Sequence, residues 1–149
     1  MKKRCVFSIF IFFVLCFSVA CQVYKSPVQN IEENSLRNAV RIHPVHELAY
    51  VRLAQYLESH GRYTETFSVL RMGQQRIPGA IALVRLEGGL FQGLGFYNDS
   101  EKFYSAQISE HPDEALLYLD RAQLYWRMEK HQLALADAQK AITLQPDLF

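Results

Sequence analysis

The chain has 149 residues, half of them hydrophobic, and a formal net charge of +1. Once a targeting segment is set aside, that length suits one compact domain, and that hydrophobic content suits a packed core rather than disorder. The near-neutral balance lacks the basic excess that marks a nucleic-acid-binding face, so no nucleic-acid partner is expected.

Met1-Lys2-Lys3-Arg4 is a positive leader, and Cys5 to Val19 follows without a charge and is rich in Phe, Ile, Val and Leu. Small residues at Ser18-Val19-Ala20 then complete the three-part layout of a secretory signal over residues 1–20. An uncleaved membrane anchor is the alternative, although the apolar run is short against the roughly 20 residues of a spanning helix. In both readings the Lys/Arg cluster stays cytoplasmic and the rest is exported. Of the three cysteines, Cys5 and Cys16 leave with the signal and Cys21 remains. A lone thiol in an exported domain invites mispairing unless it is modified. The segment Ser18-Val19-Ala20-Cys21 resembles the lipobox of bacterial lipoproteins, with Ser18 where Leu is usual. That resemblance implies acylation (a diacylglyceryl thioether and palmitate-type chains) at Cys21, with residues 21–27 as a tether to the membrane. Because Gln22 is not Asp, it also implies an outer-membrane address facing the periplasm. Ordinary cleavage after Ala20 stays open and would give a soluble periplasmic protein.

Downstream, prolines fall at Pro44, Pro78, Pro112 and Pro146, each 34 residues after the last. Placing Pro at the end of each unit gives repeats over 47–80, 81–114 and 115–148. The first carries Tyr50, Leu53, Ala54, Leu57, Thr66, Leu70, Gly73 and Pro78. The second carries Val84, Gly88, Phe91, Ser100, Tyr104, Ile108 and Pro112, with Glu87 departing from the pattern. The third carries Tyr118, Ala122, Tyr125, Ala134, Ala138, Ala141 and Pro146, with Arg121 departing. Spacing and residue classes resemble the tetratricopeptide repeat, a helix-turn-helix unit, and the segment ALADAQKAITLQP resembles its second helix. The resemblance implies an all-α solenoid of antiparallel helix pairs: three full repeats, preceded over 28–46 by a half repeat whose helix, Asn30 to Ile42, caps the first. Small residues at Ala54, Gly88 and Ala122, opposed by Thr66, Ser100 and Ala134, allow close helix approach. Gly61 and Gly95 suit a left-handed turn between the helices.

No catalytic constellation emerges. His43, His46, His60, His111 and His131 lack carboxylate or Cys partners at metal-ligand spacing. Gly88, Gly89, Gly93 and Gly95 lack the strand and Lys of a phosphate loop. No enzyme activity, metal or cofactor is expected. The resemblance implies instead a concave face lined by the first helices, whose groove binds a peptide or helix of another protein. The positions it points to include Arg52, Gln55, Arg85, Gln92, Gln123 and Trp126. Trp and Arg are enriched among interface hot spots, whereas the cationic clamp of chaperone-binding members is absent, since Val51, Gln55, Leu86, Leu116 and Asp120 stand at its places. The expected function is a scaffold or adaptor in the bacterial envelope, as in lipoproteins that serve pilus and secretin assembly or recruit peptidoglycan enzymes. The alternative is a self-assembling structural protein. The last helix carries Leu133, Leu135, Ile142 and Leu144, followed by Leu148 and Phe149. Part of this apolar set is expected to stay exposed, making Leu148 and Phe149 self-association residues and a homodimer the expected assembly.

Overall fold

A computed structural model describes the backbone of residues 27–148 and the side chains of residues 31–147. The expected signal, most of the tether with Cys21, the side chain of Leu148 and all of Phe149 lie outside the described residues. Two compact units divide the chain, Met1–Asn38 and Ala39–Phe149.

The described residues form seven α-helices and no strand: α1 Pro27–Ile42, α2 Glu47–Ser59, α3 Tyr63–Arg76, α4 Ile81–Gly93, α5 Tyr97–Glu110, α6 Ala115–Arg127 and α7 His131–Leu144. A single 3-10 turn follows at Pro146–Leu148. Helix α1 opens on Pro27, whose fixed φ suits a first turn. Its described part in the first unit carries a Glu33–Arg37 pair at 2.9 Å, one helical turn apart.

In the second unit the prolines set the helix ends. Ile77, His111 and Gln145 each precede a proline and each leaves the helical region, with φ of −128°, −129° and −143°. Crowding by the following ring forces that change. Between the paired helices, Gly61 and Gly95 turn the chain at φ +70° and +81°. The third turn has Glu129 at the same place, at φ 59°, a conformation that costs a residue with a Cβ.

Within the middle pair, the small residues meet as expected. Ser100 Oγ donates to the Gly88 carbonyl at 3.0 Å, and Ala54, Thr66, Ala122 and Ala134 are buried. A Cβ at Gly88 would lie 2.3 Å from Tyr104 Cζ, so the helices approach as closely as glycine permits. Tyr50 donates to the Pro44 carbonyl at 2.9 Å and Tyr118 to the Pro112 carbonyl at 3.1 Å. These bonds tie the first helices of the outer repeats to the proline turns before them.

Between pairs, α4 packs on α2 and α3, and α6 packs on α4 and α5. Val84, Tyr104, Ile108, Leu117 and Leu124 form a core cluster across the second of these joints. Both charged departures from the repeat pattern are satisfied, one between pairs and one mainly within the third pair. Glu87, 2 % exposed, accepts from Arg71 Nε and Gln74 Nε2, both at 2.9 Å. Arg121 donates to both oxygens of Asp137 at 2.7 and 2.9 Å and to Ser105 Oγ at 3.0 Å. A buried charge is costly unless paired in this way.

Candidate functional site

Because α2, α4 and α6 lie side by side, their outward faces share one surface. A cavity of about 540 Å³ opens there. Helix α4 forms its floor through Ala82, Leu86, Gly89 and Gly93, which recur at the three- and four-residue spacing of one helix face. No atom lies within 4 Å of a Cβ built at Gly89 or Gly93, so the backbone itself is presented. Val51 and Gln55 line one wall, and Asp120, Gln123 and Arg127 the other.

Of the residues expected in the groove, Gln55, Arg85, Gln92 and Gln123 line this cavity. They differ in what they can offer. Gln55 and Gln123 are exposed. Gln92 is buried, 9 % exposed. Arg85 is bound bidentately by Asp120, Nε to Oδ2 at 2.6 Å and Nη2 to Oδ1 at 3.0 Å, across α4 and α6. That hydrogen bonding holds the Arg85 guanidinium above its ordinary pKa against the opposing effect of burial. The pair is electrically neutral and serves as a strap between repeats.

Arg52 and Trp126 are not among the lining residues. Arg52 is exposed on α2. Trp126, 65 % exposed, meets the ring of His131 of α7 at a tilted angle, with ring centroids 4.8 Å apart. Gln123 and Arg127, four residues apart, share the cavity face of α6, which turns Trp126 to a neighbouring edge.

Tyr104 was not among the groove positions read from the sequence, because it belongs to a second helix. Its hydroxyl passes over Gly88, donates to the Arg85 carbonyl at 3.3 Å and reaches the cavity. Burial pushes its phenol well above the ordinary value. The pairing of Gly88 with Tyr104, a missing side chain opposite a long one, was the available signal. No Ser, Cys or His lines the cavity. Among the described residues, no cluster of His, Cys, Asp and Glu is arranged to hold a metal, and no helix is long and apolar enough to cross a membrane.

No family model matches the chain, and no curated protein matches it in sequence. Solved structures do match in fold. A structure titled "MamA MSR-1 C2" superposes with a TM-score of 0.57 at 16 % identity, over 81 % of this chain and 70 % of that one. "MamA 41-end from Desulfovibrio magneticus RS-1" gives 0.56 at 17 %, over 80 % and 68 %. "Crystal structure of MamA" gives 0.58 at 12 %, over 85 % and 78 %. The fold is a tetratricopeptide-like helical solenoid. At these identities the likeness speaks to fold, and the role has to be argued from the groove.

Proposed function

We propose that this protein is a non-enzymatic scaffold that binds a segment of another protein in the groove over α4. The cavity carries the reading. Its floor is bare helix backbone at Gly89 and Gly93, and its walls hold the exposed amides of Gln55 and Gln123. Such a surface suits the peptide groups of a bound segment more than a charged headgroup, because Arg85 is already neutralised by Asp120. Val51 and Leu86 add apolar contact, and Arg127 is an exposed cation at one end. Repeat solenoids present their binding surface in this way.

In this reading the scaffold is exported and held by a lipid on Cys21 at the outer membrane, facing the periplasm. The single mature cysteine beside Ala20 supports it. Mass spectrometry of the mature N-terminus is expected to show a diacylglyceryl adduct on Cys21. An unmodified Cys21 or an intact Met1 end would contradict the anchor while leaving the groove reading standing.

The groove itself is tested by filling it. Gly89→Leu adds a side chain where nothing opposes it, so the fold should survive. Proteins co-captured with the wild-type chain from source membranes are expected to be lost with Gly89→Leu and retained with a substitution at exposed Lys102 on α5. The same co-captured set from both variants would refute groove binding.

A further inference from the structure

The repeat geometry shows which side of each second helix is meant to be covered. At the first joint, Phe67 meets Phe91 with centroids 4.8 Å apart, and Gln74 donates to Glu87 at 2.9 Å. Their equivalents 34 residues on, Glu101 and Ile108, are covered by the third repeat. Glu101 accepts from Lys130 at 2.7 Å, and Ile108 packs with Leu117 and Leu124 of α6. The next equivalents are Leu135 and Ile142 on α7, and these are 57 % and 46 % exposed. Position 92 shows the same change: Gln92 is 9 % exposed, whereas its equivalent Trp126 is 65 % exposed. Trp126, through its contact with His131, extends the open row formed by Leu135, Ala138 and Ile142. Leu133, also exposed, lies roughly 200° around α7 from Leu135 and belongs to the other flank.

We propose that this row is a dimer interface, occupied by the same row of a second copy in antiparallel two-fold contact. Two observations select that occupant. The inner joints fix their partners with charge, through Arg71 and Gln74 on Glu87 and through Lys130 on Glu101. The row on α7 runs His131, Leu135, Ala138, Ile142 and Gln145, and carries no Asp, Glu, Lys or Arg. Two such rows meet without like-charge repulsion, whereas a helix that carried charges to this seam would leave them without partners. The row is also nearly symmetric about its middle. Leu135 and Ile142 stand two turns apart with the small Ala138 between them, so inversion sets Leu135 against Ile142 of the partner subunit. Ala138 then falls near the axis, where close approach is needed. A two-fold contact between identical patches closes on itself. This interface is on α7, separate from the groove over α4, and does not depend on it.

Full-length chains carrying two different tags, expressed together, test the proposal. Capture of one tag is expected to recover the other. L135E with I142E should lower that recovery about tenfold, since two apolar anchors are exchanged for mutually repelling charges. L133E on the opposite flank and G89L in the groove should leave it unchanged. All four positions are exposed, and an unchanged helical melting curve verifies that each variant is folded. Failure to recover the second tag, equal recovery with L135E/I142E, or equal loss with L133E would overturn the proposal.

Discussion

At Gly88 an added methyl group would press on the ring of Tyr104, 2.3 Å away, while one residue on, at Gly89, it would meet nothing within 4 Å. The same substitution therefore has opposite signs at adjacent positions. Gly88→Ala should cost about 2 kcal/mol by overpacking, and Gly89→Ala should gain up to about 1 kcal/mol from helix propensity. Urea denaturation of the two variants measures both. Tyr104 also sets an alkaline limit on stability. Burial raises its phenol pKa above the ordinary value near 10. Below that pH both folded and unfolded states hold the proton. Above it the unfolded chain releases the proton while the folded chain keeps it, so stability falls as pH rises. Tyr104→Phe should flatten the decline above about pH 10, as read by denaturant midpoints across that range.

Helix pairing was legible in the sequence because it is written in single residues at a fixed period. Prolines at 34-residue spacing end the second helices, and Gly61 and Gly95 take the left-handed turns. Glu87 and Arg121 read as departures because a repeat pattern names the residue class at each position and not the cross-helix partner that can satisfy a charge there. Arg85 reads as a groove position, and its pairing with Asp120, 35 residues on, is hidden for the same reason. Gln55 and Gln123 could be placed at the groove by repeat position alone, whereas the rotation of Trp126 toward His131 depends on packing against α7. Arg121 gives the sharpest test at this scale. It and Asp137 are 16 % and 10 % exposed at the side chain, so Arg121→Ala strands a carboxylate. The cost should be about 3 kcal/mol, with a substantial part regained in Arg121→Ala/Asp137→Ala. A thermal-melt double-mutant cycle that showed simple additivity would contradict a coupled pair.

Across residues 39–149, the repeats join their separate cores under one shared surface. Each first helix lies against the previous one, and the Arg85–Asp120 strap holds neighbouring helices at fixed register without adding net charge to the groove. A scaffold gains from such rigidity, because a preformed groove loses little entropy on binding. The unpaired amides and bare backbone over α4 and the apolar row on α7 then give two surfaces with different chemistry. One suits peptide groups of another protein, and the other suits a copy of itself.

Groove binding is tested most sharply by site-specific photo-cross-linking of the full-length chain in its native cells. A benzophenone amino acid at Gln123 faces the cavity, and one at Gln75 stands exposed on α3 outside it. Discrete adducts of this chain with another polypeptide are expected from position 123, and none of those adducts from position 75. Gly89→Leu should abolish the adducts at 123. Absence of protein adducts at 123, or the same adducts from both positions, would contradict groove binding.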